Sequence, residues 1–489
     1  MNILIPYKWL LEHLETDASA KEIQEKVSLC GPSIERIYDR EGDSIFDIEV
    51  TTNRVDAMSV RGIARECAVI LNNAGIPAKL KKQDLPSSNS LSTSTADPAD
   101  EAGPLPRIIN NPKFCKRILA VVLSNVQRTP TPDWMAARLR QTEMNVHDSV
   151  IDITNYITHE LGHPCHAFDY DKIMALGGEI IVKEAEKGKK FTTLDGMNYE
   201  TVGGEIVFEN PSGEIIDLPA VKGTANTSID ESTKNVLFWV ESLDPKKVRF
   251  ASMTHAIRTT AAQLNEKDVD PELAMDVLLR GVQLYQELCQ AEVASEIYDE
   301  YPGKRTLSSV KVEKSTIDKY LGVELKVEII TNILKDLGCE VDFLKNSITD
   351  EHRDPSSRLS GTQDDITVTP PSYRPDLEIP ADIVEEVARI YGYHNLPSVL
   401  MPTAIPLSKP EHNTFKLEER IKHFFSDIGW QEVYTYSMIG EELATQSGTP
   451  VEDHLRLQNA LTDDKVYLRV RLIPSLNQII DYNPTASRL

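Results

Sequence analysis

PSYRPDLEIPADIVEEVARIYGYHNLP, residues 371–397, combines a helix start with a cluster of acids. Pro380 and Asp382 predict the start, because a proline there removes no backbone donor the helix needs and an acid meets the positive end of the dipole. Ile383, Val384, Val387 and Ile390 recur at helical spacing and predict a buried face. On the opposite face Asp382, Glu385 and Glu386 lie about one turn apart, and Asp376 sits upstream on the incoming loop. Four converging carboxylates repel one another unless a cation or a partner's arginine neutralises them, and hard oxygen ligands suit Mg2+. The plain alternative is a solvated acidic face favoured by the dipole. The residues alone leave both open.

Working outward, the chain divides into segments of different pattern. Residues 1–82 carry an amphipathic stretch (Trp9, Leu10, Leu11, Leu14), the strand-like IFDIEV, and a helix in which Val60, Ile63, Ala64, Cys67 and Leu71 share a face and Gly75 closes the end. They predict a small α/β module. Residues 83–106 are rich in Ser, Pro, Asp and Thr and predict a disordered linker. Residues 107–302 alternate strand-like runs (RILAVVLSNV, GEIIVKEA, GEIVFEN, NVLFWVESL) with helices and end in the helical PELAMDVLLRGVQLYQELCQAE. Residues 303–405 read strand, helix, strand, then the helix ADIVEEVARIYGY, with KNSITDEHRDPSSRLSGTQDD as a surface loop. Residues 406–489 begin with FKLEERIKHFFSDIG, whose Leu417, Ile421, Phe424, Phe425 and Ile428 predict a buried stripe. The strand-like EVYTYSMI and the helical RLIPSLNQIIDYN follow. The fold class expected is therefore α+β and multidomain. The last segment reads as the opening of a larger domain that a partner or further chain completes.

A second motif competes for the function. THELGHPCHAFD, residues 158–169, contains His159, Glu160 and His163 in the H-E-x-x-H pattern of zinc hydrolases, with His166 close behind. That pattern needs both histidines on one helical face, yet Gly162 precedes His163 and Pro164 follows it, and proline inside a helix costs about 3 kcal/mol. The helix is expected to stop at the second histidine.

Composition narrows the classes. In 489 residues, Asp and Glu total 76 against 52 Lys and Arg, a formal net charge of -24, so the surface as a whole repels a polyphosphate and any nucleic-acid contact has to be local or supplied by a partner. Six scattered cysteines without a C-x-x-C pair read as reduced thiols of a cytoplasmic protein. Neither a signal peptide nor a membrane span is expected.

Several segments together resemble the beta subunit of bacterial-type phenylalanyl-tRNA synthetase. WLLEHLE and DIEVTTNRVDAMSVRGIAREC look like that family's opening domain, and VIDITNYITHELGHPCHAFD and RTTAAQLNEKDVDPELA look like its editing domain. Residues 371–397 are close to its most distinctive segment, and LRVRLIPSLNQIIDYN resembles its synthetase-like domain. The matches keep one order along nearly the whole chain.

The resemblance implies an editing domain over 107–302, a Mg2+-binding, winged-helix-like domain over 303–405, and the start of a class II synthetase-like antiparallel-sheet domain over 406–489. It implies one subunit of an ATP-dependent ligase that charges tRNA(Phe), assembled with an alpha subunit as an alpha2-beta2 heterotetramer whose alpha subunit binds ATP. Phenylalanine and tyrosine differ by one hydroxyl, which a hydrophobic pocket rejects only about 100-fold, so a second, hydrolytic check is needed. Thr154, Asn155 and His166 match family editing-pocket positions, as do Thr259 and Ala261. Asp376, Asp382, Glu385 and Glu386 match its Mg2+-binding residues. His159 and His163 stand where the family has an aliphatic residue and a glutamine, which leaves His166 as the functional histidine. Asn145, Thr224, Ala225 and the run QLNEKD depart from the family pattern and imply weakened or altered editing. A stand-alone or degenerate tRNA-editing or binding protein is the alternative from another class, and a zinc hydrolase using His159 and His163 is the remote one.

Overall fold

The helix expected after Pro380 spans Pro380–Tyr391, and its face of Ile383, Val384, Val387 and Ile390 is buried as the spacing requires. It was located in a computed structural model that describes residues 1–87, 105–304, 306–344, 365–400, 403 and 413–483. Most of the expected linker and the loop KNSITDEHRDPSSRLSGTQDD lie outside the described residues. Internal packing divides the chain into two units, 1–398 and 399–489.

In the first unit a three-stranded antiparallel sheet places Asp43–Glu49 between Asn2–Pro6 and Ser33–Arg40. Helix Val60–Asn73 packs in the same core, with Val60, Ile63, Ala64, Cys67 and Leu71 all buried. Ser59 caps its first turn by accepting from the Gly62 amide, and Gly75 turns the chain at φ +79°.

Two further sheets form the middle of this unit. One runs Lys222–Gly223, Ile215–Leu218, Ile206–Glu209, Glu179–Glu184, Arg107–Ile109. The other centres on Cys115–Ser124 paired with Val236–Leu243, which in turn pairs with His166–Asp169. Alternation along the central strands sends Ile118, Ala120, Val122, Leu237 and Trp239 into one core, shared with Val182, Phe208 and Leu218 of the first sheet. Leu119, Val121, Leu123, Phe238 and Val240 go to the other core, under helices Ser149–Leu161 and Ala274–Cys289. All four strand-like runs of this region are strands. Both faces of the second sheet are buried, which is why NVLFWVESL is almost continuously apolar.

The segment after 303 builds a three-stranded antiparallel sheet from Val310–Glu313, Asp365–Thr369 and Glu340–Leu344, with two helices, Lys314–Leu321 and Val327–Asp336, ahead of Pro380–Tyr391. Its apolar residues join one continuous core with those of the N-terminal module, from Ile5 through Leu71 to Ile390.

The second unit corrects two expectations. Helix Asn413–Asp427 forms, but Leu417, Ile421, Phe424, Phe425 and Ile428 are exposed rather than buried, because the described part of this unit offers a core of only Ile439, Leu443 and Ala444 with Val451 and Tyr467 against it. Of EVYTYSMI, only Met438–Ile439 is strand, paired with Tyr467–Leu468. The helix read from RLIPSLNQIIDYN spans Ile473–Tyr482. No helix of the described residues is long and apolar enough to cross a membrane.

Candidate functional site

Asp148 starts the helix Ser149–Leu161 by accepting from the Val150 and Ile151 amides, and Gly162 ends it in the left-handed region at φ +88°. The chain must turn there because Pro164 follows. The three residues of the H-E-x-x-H match consequently go to three places. Glu160 is buried against Arg280 at 2.9 Å and His13 at 3.4 Å. His163, fully buried beyond the helix end, donates from Nδ1 to the Pro164 carbonyl and accepts at Nε2 from the Ser242 hydroxyl. His159 alone faces a cavity. Among the described residues no three His, Cys, Asp or Glu side chains group as metal ligands, so the zinc reading has no donor set.

The cavity, about 340 Å3, opens beside that helix and between the two larger sheets. Thr154, Asn155, His166, Thr259 and Ala261, expected from two separate segments, all line it. Thr154 and Asn155 lie inside the helix, not at a strand end. The Thr154 hydroxyl donates to the Ile151 carbonyl at 2.8 Å, leaving its lone pairs for a ligand. His166 begins the strand His166–Asp169, paired with Trp239, and packs edge-on against Phe168 with centroids 4.4 Å apart. Gly223 fits this position because a Cβ there would stand 3.2 Å from the His166 ring. Thr259 caps the helix Thr260–Asn265 and donates to the Val221 carbonyl at 2.9 Å, so its side chain frames the wall. Burial pulls both His159 and His166 down to about 4, which keeps each imidazole neutral near pH 7.

Two acids of this wall, Asp217 and Glu241, escaped the sequence reading, and His159, read there only as a zinc ligand, lines it as well. Glu241 and Asp217 are carboxyls in strands whose neighbours are buried apolar residues, and burial raises both, Glu241 to about 8. An acid inside an otherwise apolar run was the available sign. Asn145 and Ala225 are exposed outside the cavity lining, while Thr224 is buried and donates to the Ile216 carbonyl, fastening the adjoining hairpin.

Asp376, Asp382, Glu385 and Glu386 line one other cleft. Arg374 holds Asp376 at 2.9 and 3.0 Å and Glu386 at 2.8 and 2.9 Å. Arg389 joins Glu386 to Glu66, and Arg54 joins Glu66 to Asp56. Asp382 accepts the Glu378 and Ile379 amides, and Glu385 is exposed. Glu386 is thus buried among arginines and does not belong to a solvated acidic face. With Arg65 on Asp56, four arginines balance four carboxylates. In this arrangement the donor set does not fit Mg2+.

The sequence matches the B3/4 domain over residues 114–290, the tRNA synthetase B5 domain over 310–393 and the phenylalanyl tRNA synthetase beta chain CLM domain over 396–487. It is 32% identical to the phenylalanine–tRNA ligase beta subunit of Carboxydothermus hydrogenoformans, covering 93% of this chain and 52% of that protein. With the same subunit of Fusobacterium nucleatum it shares 31% identity over 90% of this chain and 51% of that protein. The chain spans about half the length of the curated relatives it matches. A solved N-terminal fragment of the phenylalanyl-tRNA synthetase beta subunit from Pyrococcus horikoshii covers 80% of this chain and 99% of the fragment at 16% identity with a TM-score of 0.42, too low to bear on the fold.

Proposed function

Because the chain belongs to the family of phenylalanyl-tRNA synthetase beta chains, we propose that it serves as the beta subunit of a phenylalanine–tRNA ligase and supplies hydrolytic editing of Tyr-tRNA(Phe). The partner is an alpha subunit, in an alpha2-beta2 heterotetramer of the cytoplasm. That assembly uses ATP and Mg2+, and ATP is bound on the alpha subunit. The observation that carries the editing reading is the single cavity that gathers Thr154, Asn155, His166, Thr259 and Ala261.

The reaction is attack of water on the ester carbonyl. The bond from the carbonyl carbon to the ribose oxygen breaks, the amino acid leaves as its carboxylate, and the ribose hydroxyl is restored with a proton from the water. His166, neutral near pH 7, accepts a hydrogen bond from the attacking water and orients it. With its value near 4 it does not keep the proton, which passes to the leaving oxygen or to solvent. Thr154 and Asn155 offer hydrogen bonds to the polar parts of the ester. No step requires a metal.

Mischarged Tyr-tRNA(Phe) added to the assembled ligase tests this. His166→Ala is expected to slow deacylation at least about tenfold. An unchanged rate removes His166 from the mechanism.

A further inference from the structure

Half of the buried acids of the described residues have a basic partner, and Asp43, Asp152 and Asp169 accept amide or hydroxyl hydrogen bonds instead. Glu66 and Glu386 meet arginines, Glu160 meets Arg280, Glu209 meets Lys183 and Lys189, and Glu205 meets His255. Asp217 and Glu241 form no ion pair among the described residues. They come from opposite sheets, Asp217 on Ile215–Leu218 and Glu241 on Val236–Leu243, and both line the cavity. Asp217 is 4% exposed and its Oδ1 has no hydrogen-bond partner. Beside Glu241 lie the Ala220 backbone amide and the Trp239 indole, neither of them a cation. The other titratable groups of the wall are His159, His166, Cys165 and Lys222. Burial keeps the two imidazoles and the thiol neutral, and Lys222 is held by Asp195 at 2.5 Å. His159 Nε2 also faces the cavity without a partner. The one lysine of the wall, Lys222, is already paired with Asp195, so the enclosed acids favour a ligand that brings a cation of its own.

We propose that Asp217 and Glu241 form the binding site for a primary ammonium group of the ligand, which under the editing function above, on which this inference rests, is the α-ammonium of the aminoacyl ester. An amino-acid ester carries that charge and no carboxylate. The free amino acid released by hydrolysis carries a carboxylate that the same acids repel, so the pair holds substrate and disfavours product. Desolvation holds both acids above the usual carboxylate range, and the charge of Glu241 raises Asp217 further. Entry of an ammonium therefore stabilises a carboxylate and sends its proton to solvent.

Isothermal titration of the full chain at pH 7.5, in two buffers of different ionisation enthalpy, reads both affinity and proton release. The probes are L-tyrosinamide, its deamino analogue 3-(4-hydroxyphenyl)propionamide, and free L-tyrosine. L-Tyrosinamide is expected to bind about tenfold or more tighter than the other two and to release a proton. Glu241→Gln and Asp217→Asn are expected to bring the ratio near one. The two-buffer comparison on the unaltered chain decides the matter if either variant does not fold. Tighter binding of Nα-acetyl-L-lysinamide than of L-tyrosinamide supports an ammonium site and assigns the group to a side chain. Equal binding of L-tyrosinamide and its deamino analogue, or binding without proton release, overturns the ammonium site alone. So does a preference for L-tyrosinamide over L-phenylalaninamide that disappears in both variants, since the acids then read the phenol. Binding of neither amide removes the editing pocket together with this proposal.

Discussion

Gly162 holds φ +88°, and a Cβ added there would stand 3.0 Å from the Ser59 side chain that caps a neighbouring helix. Gly162→Ala is expected to lower stability by about 1–2 kcal/mol, read as a shift of the urea midpoint at unchanged slope. The same glycine separates His159 from His163, so one residue's backbone decides that a metal-like spelling does not become a metal site. Glu241 shows the converse, a side chain whose environment makes it functional. Its folded-state value near 8 lies above the ordinary 4.5, so the unfolded chain ionises first and stability falls as pH rises from about 4.5 to 8. Glu241→Gln removes that loss. Relative to the unaltered chain the variant is expected to gain up to about 1.4 kcal/mol per pH unit across this window, measured by denaturant unfolding at pH 5 and pH 8.

At the scale of elements, helix Pro380–Tyr391 matters for what it joins. Its Glu386 and Arg389 reach Arg374 on the preceding loop and Glu66 on helix Val60–Asn73. Glu66→Ala leaves Arg54 and Arg389 buried without their shared partner and is expected to cost about 3–5 kcal/mol in chemical denaturation. Arginines hold Glu66 well below the usual carboxylate range and Glu386 at about 2, against an ordinary value of 4.5. A lowered carboxyl contributes its full stability above the unfolded value and loses it as pH falls toward the folded one. The thermal midpoint is therefore expected to drop from about pH 4.5 to pH 2, and Glu386→Gln to flatten that slope. Spacing made the four acids legible as a cluster. Arg374 and Arg389, which neutralise Asp376 and Glu386, stand in the same stretch, but their link to Glu66 and Arg54 of the N-terminal module was not legible, because those residues lie more than 300 positions away.

Across the whole molecule, core is unevenly distributed. Residues 1–398 share an extensive interior, while the unit 399–489 leaves the apolar stripe of Asn413–Asp427 in water. Local opening follows apolar burial, so hydrogen exchange is expected to be orders of magnitude faster in that helix than in Val236–Leu243, as mass spectrometry of peptic fragments would show; equal protection would contradict it. Period and punctuation foretold most elements of the first unit, since side chains every two or every 3.6 residues face one core and glycine or proline marks where a helix must stop. The same rule named the stripe of the last unit correctly as apolar and wrongly as buried, because burial depends on what stands opposite. By itself the sequence determined the family, many of the elements and five residues of the candidate cavity. Tertiary structure alone decided that those five meet, that Asp217 and Glu241 close on them from two sheets, and that Glu386 of the Pro380 helix joins an arginine network reaching Glu66. Charge balance and enclosure belong to groups distant along the chain, and no local pattern records them.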